Sequence, residues 1–368
     1  MRVLDLSALG PGPFCSMVLA DFGADVIHVR RPDASGPDPS KFLRRGKREL
    51  VVDLRSEAGP VVVARMAERI DVLLEGNRPG AMERRGLGPD DLLVRNPRLI
   101  YTRLTGWGQT GPYANRAGHD INYLAISGAL GVVGTADPVP PLALLGDLAS
   151  GALLAALGTV LALFERERTG KGQVVDAAIV DGAALLLSAA FGELASGMWR
   201  GGRGTHVLSG VAPFYGVYEC ADGGWFAVGA IEPQFFAALV DVLGLDEPVE
   251  RQWAEDGWPA LRRRVADVFA SATRDEWAAR FEKVEACGAP VLEIDELDRD
   301  AHLAARGTVT REEGHLRSAP APRLSAHPDL RASDPRPASL QSLLGELGFE
   351  PAEIDRLVAD GVVSAALS

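Results

Sequence analysis

Cysteine is scarce in this 368-residue chain, which contains only three. Cys15, Cys220 and Cys287 are far apart and form no Cys-x-x-Cys pair, so the sequence favours neither a disulfide framework nor a thiolate metal site. This usage is typical of a reducing compartment, and we expect a cytoplasmic protein. Nothing at the N-terminus resembles a signal peptide, because Arg2 leads directly into a strand pattern.

Several familiar catalytic motifs are also missing. The chain has no Gly-x-Ser-x-Gly nucleophile elbow, no His-Glu-x-x-His motif and no cysteine-histidine cluster. The Gly-Lys pair at 170–171 lacks the upstream glycine of a Walker A loop. These absences argue against serine hydrolase, zinc protease and P-loop chemistry, and we expect no metal ion.

Positive charge is in deficit, with 38 Lys and Arg against 50 Asp and Glu and a net charge of −12. This balance disfavours nucleic acid or an anionic membrane as the main partner. Residues 1–105 nevertheless hold 17 basic and 14 acidic side chains, so the N-terminal third is where we expect an anion to bind. Its segment KFLRRGKR at 41–48 predicts either a solvated surface or a phosphate clamp.

Strand and helix patterns alternate through the first half of the chain. Strands are predicted at 2–7, 26–29, 49–54, 72–74, 99–104 and 173–180, and helices at 14–22, 57–70, 121–133 and 181–195. This alternation predicts an α/β fold with a parallel, doubly wound sheet. We therefore assign residues 1–196 to a large Rossmann-like domain.

The composition and the pattern of predicted elements change in the second half of the chain. Residues 197–214 are polar and glycine-rich and predict a linker, and residues 215–316 predict a smaller α+β domain that opens with a hairpin around Asp222. Residues 317–338 predict an extended strap, followed by C-terminal helices at 339–347 and 350–363.

An apolar run at 148–164 is the longest in the chain and allows two interpretations. Its 17 residues are fewer than the ~20 that a bilayer requires, so we expect a helix buried between the sheet and a partner rather than a membrane span. Asp147 stands at its start, where a carboxylate can act as an N-cap. The helix dipole there would hold the carboxylate ionised.

The loop after the first predicted strand carries Gly10-x-Gly12, which invites a dinucleotide-binding interpretation. Two features count against an NAD(P) enzyme. Cys15 stands where the third glycine of that fingerprint belongs, and the second strand ends in Arg30 and Arg31, where an NAD site needs an acid. Arginines at that position suit a phosphate.

Three titratable residues remain as candidates for chemistry. His119 lies between a strand pattern and a helix pattern, where open α/β folds keep catalytic groups, and Asp147 and Glu232 each stand beside a predicted helix start. A histidine with two carboxylates can remove and return a proton next to a carbonyl. Sequence spacing does not bring the three together, and each also has an ordinary structural interpretation, such as a loop histidine bonded to a carbonyl.

Eight motifs occur in order over residues 2–240. They are GPGPFCSMVLADFGADVIHVRRP, DLR at 53–55, EGNRPG, LTGWGQTGPY, AGHDINY, LLGDLASG, TGKGQVVDAAIVDG and YECADGGWFAVGAIEPQF. Together they resemble the class III CoA-transferase family, and within it the α-methylacyl-CoA racemase branch, because GHDINY separates racemases from transferases.

The resemblance implies an interlocked homodimer, in which residues 317–368 return to the large domain. It also implies a racemase that interconverts (R)- and (S)-2-methyl-branched acyl-CoA thioesters by 1,1-proton transfer through an enolate. His119 and Asp147 would exchange the α-proton on opposite faces, and Glu232 would hold the imidazole of His119. No cofactor would be needed, because CoA is part of the substrate.

The resemblance further implies a set of CoA-binding residues at strand ends and in the loop before the helix at 121–133. They are Arg31, Val52, Asp53, Leu54, Arg55, Gly76, Asn77, Arg78, Arg84, Gly118, Asp120, Ile121, Asn122 and Tyr123. Arg55 stands where a lysine is common in the family, which keeps the positive charge. The chain also starts at the first strand, without the family's usual short lead.

Two alternatives stay open. A class III CoA-transferase would use Asp147 as a nucleophile, form an acyl-aspartyl anhydride, and have no need of His119. A CoA-binding protein without catalysis would bind CoA and exchange no α-proton.

Overall fold

The computed structural model describes residues 1–8, 10–32, 39–327, 330, 331, 336 and 338–365. Over these residues the strands are β1 (Arg2–Asp5), β2 (Asp25–Arg30), β3 (Lys47–Val52), β4 (Val72–Glu75), β5 (Ile100–Thr105), β6 (Gln173–Ala178), β7 (Tyr215–Glu219), β8 (Trp225–Gly229), β9 (Gly288–Val291), β10 (Val309–Glu312), β11 (His315–Ser318) and β12 (Val363–Ala365). The α-helices are α1 (Pro11–Asp21), α2 (Ala58–Ala67), α3 (Pro89–Arg95), α4 (Asp120–Ser127), α5 (Ala129–Val132), α6 (Leu154–Thr169), α7 (Ile179–Leu185), α8 (Ser188–Ser196), α9 (Pro233–Val242), α10 (Trp258–Phe269), α11 (Arg274–Phe281), α12 (Ala301–Arg306), α13 (Leu340–Glu346) and α14 (Pro351–Ala359). A π-helix, Leu144–Leu153, runs directly into α6.

Seven strands form one sheet in the order β12-β3-β2-β1-β4-β5-β6. Neighbouring strands from β3 to β6 are parallel, and β12 is antiparallel to β3. The strand order reverses between β1 and β4. The crevice at their carboxyl ends is therefore the topological switch point at which open α/β sheets bind ligands. The predicted parallel, doubly wound sheet is confirmed.

The sheet is covered by helices on both faces because its central strands are apolar on both sides. In β1, Val3 and Leu4 are both fully buried but belong to different cores. Leu4 packs in a core that includes side chains from α2, α3, α13 and α14. Val3 packs in a core that includes side chains from α1, α6 and α7. Continuous apolar strands of this kind are typical of parallel sheets.

The chain forms two compact units. The first consists of Met1–Ala129, Pro141–Leu187 and Ala319–Ser368, and the second of Leu130–Pro140 and Ser188–Ser318. The predicted boundary at 196 is thus displaced, and residues 197–214 lie inside the second unit rather than between two domains. The reason is that α8 belongs with the second unit although its sequence continues the helical pattern of α7.

The second unit is built on the antiparallel sheet β7-β8-β9. The hairpin predicted around Asp222 is confirmed by the antiparallel pairing of β7 with β8. Helices α9, α10 and α11 contribute to a core rich in aromatic side chains, which are Phe214, Tyr218, Phe226, Phe236, Trp258, Phe269, Trp277 and Phe281.

The basic segment 41–48 was predicted to be either a solvated surface or a phosphate clamp. The four of its cations whose burial the structure describes fit neither prediction. Each is buried and paired with a carboxylate of the first unit: Arg44 with Glu49 at 2.9 Å, Arg45 with Asp21 at 2.6 Å, Lys47 with Asp5 at 3.5 Å and Arg48 with Asp25 at 2.6 Å. Buried cations of this kind must be paired. A count of charges does not show which acids the fold will bring to them.

Two predicted helices differ from those in the structure. The helix predicted at 121–133 is interrupted at Gly128, whose φ of 89° ends α4 in a left-handed cap. The helix predicted at 350–363 ends at Ala359, and Val363–Ala365 forms β12 on the edge of the large sheet. Parts of the predicted strap at 317–338 lie outside the described residues, and its first two residues belong to β11.

The apolar helix is longer and less buried than predicted. The π-helix and α6 together run from Leu144 to Thr169 and contain an 18-residue window with a mean hydropathy of 1.8, which by length and composition would suffice to cross a membrane. One side carries the buried Ala152, Ala155, Ala156, Thr159 and Ala162, whereas Leu153, Leu157, Val160, Leu161 and Phe164 are 45–67% exposed. The helix is therefore buried along one side only within its own unit.

Candidate active site

Tyr123 joins the glycine-rich segments 106–112 and 117–123. Its hydroxyl donates to the carbonyl of Gly118 at 2.5 Å, and its ring lies edge-on to Trp107 with the centroids 4.8 Å apart. A Cβ on Gly106 would lie 2.0 Å from the Tyr123 ring, so glycine at 106 is needed to admit it. This packing ties the loop before α4 to the end of β5. The side chain of Tyr123, predicted to contact CoA, is thus buried and already hydrogen-bonded.

His119 is the N-cap residue of α4 and is exposed. Its backbone is extended, with φ −131° and ψ 173°, and its N–H donates to Oδ1 of Asn122 at 3.0 Å. The amide of Asn122 therefore orients the backbone at the start of the helix. The imidazole stands at the helix entrance on the solvent side.

Asp147 lies in the first turn of the π-helix rather than at its N-cap, which is Ala143. Its backbone N–H donates to Oδ1 of Asp120 at 2.7 Å. A Cβ on Gly146 would lie only 2.1 Å from the same oxygen, so glycine at 146 makes room for the Asp120 carboxylate. The N-cap interpretation of Asp147 was wrong, because the helix begins four residues earlier than the apolar pattern indicates.

The carboxyl of Asp147 has an unusual proton affinity. Burial and the neighbouring Asp120 carboxylate raise the pKa of Asp147 to about 6, while His119 acts in the opposite direction. The expected stabilisation of the ionised form by the helix start is outweighed, since the pKa lies above the ordinary range of a carboxyl. The structure thus places His119 and Asp147 within electrostatic reach of each other, although they are 28 positions apart in sequence.

Asp147 lies beside the switch point of the sheet. A Cβ on Gly10, in the loop after β1, would lie 3.5 Å from Oδ2 of Asp147. Arg78, in the loop after β4, acts electrostatically on Tyr123, whose pKa is raised by burial and by Asp147. The loops from the two strands that flank the reversal therefore lie near Asp147 and Tyr123.

Glu75 is a site residue that sequence reasoning missed. It ends β4 fully buried, accepts from Arg103 Nε at 2.9 Å and accepts from the backbone N–H of Asn77 at 2.6 Å. Burial raises the pKa of Glu75. Its carboxylate fixes the turn at Gly76 that carries Arg78. The sequence feature that could have identified Glu75 is an acidic residue at the end of an apolar strand pattern, immediately before Gly76 and Asn77.

The candidate CoA-binding arginines differ in their surroundings. Arg31, Arg78 and Arg84 are exposed, and no carboxylate forms an ion pair with them among the described residues. Arg55 is also exposed but pairs with Asp53 at 3.2 Å, which lowers the pKa of Asp53 through hydrogen bonds from Arg55. The first three are thus the cations most available to a phosphate.

The other candidate CoA-binding residues offer different groups. Val52 ends β3 with its side chain buried, and Leu54 is half-buried. Gly76, Ile121 and Asn122 are exposed, and Asn77 and Gly118 are half-buried. Whether these residues bind CoA stays a prediction.

Glu232 belongs to the second unit, whereas the other candidate residues belong to the first. It is the exposed N-cap residue of α9, and its carbonyl accepts from the N–H of Phe236 at 2.9 Å. The carboxylate raises the pKa of Cys287, for which burial is the larger cause. The proposed contact of Glu232 with His119 stays a prediction.

Among the described residues, no group of three or more His, Cys, Asp or Glu side chains is arranged to hold a metal ion.

A doubly wound sheet with a protonatable carboxylate beside its switch point, and a histidine within electrostatic reach of that carboxylate, defines the class as an α/β enzyme suited to acid–base chemistry. The family model described as CoA-transferase family III matches residues 1–339, and the chain belongs to this family. The resemblance seen in the sequence motifs is confirmed.

Two curated relatives are similar over almost the whole chain. The identity is 45% to alpha-methylacyl-CoA racemase of Mus musculus and 46% to that of Homo sapiens, each over 99% of this chain and 97% of the relative. The crystal structure of a CAIB/BAIF family protein from Brucella suis superposes with a TM-score of 0.79 at 27% identity, covering 94% of this chain and 98% of that one.

Proposed function

We propose that this protein is an α-methylacyl-CoA racemase, an isomerase that interconverts the (R) and (S) epimers of 2-methyl-branched acyl-CoA thioesters. The observation that carries the proposal is the pairing of His119 with Asp147, whose pKa is raised to about 6. The names and coverage of the two mammalian relatives support the same function. The substrate would be the thioester itself, with no cofactor beyond the CoA that it contains.

In the proposed mechanism, His119 and Asp147 act on opposite faces of C2. In one direction neutral His119 removes the α-proton, and protonated Asp147 delivers a proton to the other face of the enolate. In the reverse direction the Asp147 carboxylate is the base and the imidazolium of His119 is the acid. A carboxyl with a pKa of about 6 can serve in both roles near neutral pH, because neither of its forms is scarce.

The enolate oxygen needs hydrogen-bond donors where its charge develops. The N–H groups of Asp120 and Ile121 are in the first turn of α4 and have no acceptor in the part of the chain that the structure describes. They adjoin His119 and carry the positive end of the helix dipole. We assign the thioester oxygen to these donors, Glu232 to the imidazole, and the CoA phosphates to Arg31, Arg78 and Arg84.

We also propose that the protein functions as an interlocked homodimer. The support is the exposed apolar side of α6, where Leu157, Val160, Leu161 and Phe164 would otherwise face water. A second copy that covers this side would remove these apolar side chains from water. Sedimentation equilibrium should give twice the mass of the chain, and a monomer at assay concentration would contradict the assembly.

The function is tested by incubating the protein with an (R)-2-methylacyl-CoA in D2O. We expect deuterium at C2 together with formation of the (S) epimer, because the proton returned to the enolate comes from solvent-exchanged groups. Retention of protium at C2 by the folded protein would refute the proposal. Transfer of CoA to an added carboxylic acid, without exchange at C2, would instead indicate the transferase alternative.

A further inference from the structure

We propose that Asp120 is a positioning residue, whose carboxylate holds the Asp147 backbone in place and sets the charge environment in which Asp147 takes up and releases its proton. This inference rests on the proposed function, because it assigns a role within the proton-transfer site. It gives the Asp120 side chain a role other than contact with CoA.

The geometry between the two aspartates is specific. Oδ1 of Asp120 accepts from the Asp147 N–H at 2.7 Å, which ties the first turn of the π-helix to the start of α4. The same oxygen lies 2.1 Å from where a Cβ on Gly146 would stand, and Leu124 Cγ lies 3.3 Å from that point. The carboxylate is thus seated over a glycine in a closely packed position.

The charged groups around Asp147 show how Asp120 affects the pKa of its carboxyl. From α4, Asp120 favours and His119 opposes protonation of Asp147, and burial contributes most to the raised pKa. In the loop after β1, a Cβ on Gly10 would lie 3.5 Å from Oδ2. On α7, Asp181 is exposed and does not affect the Asp147 carboxyl, while Arg78 acts on Tyr123. Asp120 is therefore the charged side chain that raises the proton affinity of Asp147.

The substitution Asp120→Asn separates the two parts of this role. The asparagine keeps an oxygen acceptor for the Asp147 N–H but removes the negative charge. We expect the pKa of Asp147 to fall by about one unit. We further expect the acidic limb of the kcat/KM profile to move to lower pH by a similar amount. At pH 7 the protonated fraction of Asp147 should be about tenfold smaller, and kcat/KM should fall by the same factor. The fall should be equal for the (R) and (S) substrates, because the variant cannot change the equilibrium constant between them.

Two further variants complete the experiment. Asp120→Ala removes the acceptor as well as the charge, and kcat should fall about a hundredfold because Asp147 loses its position. The matched control is Asp181→Asn, which removes an exposed first-turn acid from α7 and should leave the pH profile unchanged. The Asp147 pKa is read directly by NMR titration of 13C-labelled aspartate, with the signal assigned by its loss in Asp147→Asn.

The NMR titration keeps this inference separable from the proposed function. A lower Asp147 pKa in Asp120→Asn supports the inference even if the wild-type protein fails to racemise its substrate, an outcome that would refute only the function. An unchanged Asp147 pKa in folded Asp120→Asn overturns the inference. An increase in KM with an unchanged pH profile also overturns it and makes Asp120 a CoA contact.

Discussion

Gly10 lies close to the carboxylate of Asp147, since a Cβ on Gly10 would be 3.5 Å from Oδ2. Gly10 has a φ of 65° and precedes α1, which packs against the π-helix. The loop at the carboxyl end of β1 therefore lies close to the proposed acid–base residue.

Gly146→Ala should inactivate the protein without unfolding it. The new Cβ would need the space occupied by Asp120 Oδ1 at 2.1 Å, so Asp120 must move and the Asp147 N–H loses its acceptor. We expect kcat to fall about a hundredfold and stability to fall by about 1–3 kcal/mol. Gly345→Ala is the matched control, because a Cβ there has open space in α13. Wild-type kcat in folded Gly146→Ala would contradict the assigned contact.

His119→Ala should abolish racemisation but not all proton exchange. Asp147 remains able to remove and return the α-proton on its own face, so one epimer should gain deuterium at C2 with retained configuration, and the other should gain none. Mass spectrometry of separately incubated (R) and (S) thioesters in D2O measures this. Equal exchange into both epimers would show that His119 is not one of the two bases. Undiminished CoA transfer between acids would favour the transferase alternative.

Arg78→Gln should weaken binding of the substrate more than it slows the reaction. The side chain is exposed, and Arg78 acts on Tyr123 from the loop after β4. We expect KM for an acyl-CoA to rise about tenfold, which corresponds to about 1.4 kcal/mol, with kcat within twofold. Arg95→Gln is the control, because Arg95 is an exposed arginine on α3 that pairs with Glu68 at 3.1 Å. Equal KM values for the two variants would remove Arg78 from the CoA site.

Asp5→Asn should destabilise the first unit. The side chains of Asp5 and Lys47 are both completely buried, and the variant leaves the Lys47 ammonium without its counter-ion. We expect a loss of about 3–5 kcal/mol, measured by urea unfolding at pH 7. The exposed Asp355→Asn on α14 should change stability by less than about 0.5 kcal/mol. An unchanged urea midpoint in Asp5→Asn would contradict the importance of the pair.

The same pair predicts how wild-type stability depends on pH. Burial alone would raise the pKa of Asp5, but His28 and Lys47 outweigh it and hold the pKa well below its usual range. The unfolded chain therefore binds a proton at a pH where folded Asp5 does not. The contribution of ionised Asp5 to the free energy of unfolding is complete above about pH 4 and is lost as the pH falls below that value. A urea midpoint independent of pH between about 5 and 2.5 would contradict this.

Much of the fold and part of the site could be predicted from local sequence. The alternation of apolar strands with helices predicted the parallel sheet, because side-chain periodicity reports which faces are buried. The glycine-rich loop and helix start around His119 identified a titratable residue in the right setting. The ordered motifs predicted the family because they preserve residue types over 240 positions.

Tertiary structure decided which charged residues meet. Arg45 and Arg48 became buried ion-pair partners because the fold brings Asp21 and Asp25 to them, and β12 formed because a sheet edge was available to the C-terminal segment. Asp147 and Asp120 are 27 residues apart, and only the packing of the π-helix on α4 joins them. Local sequence therefore determined the elements and the candidate groups. The proton affinity of Asp147 was decided by burial and by a charge from another helix, which no local pattern contains.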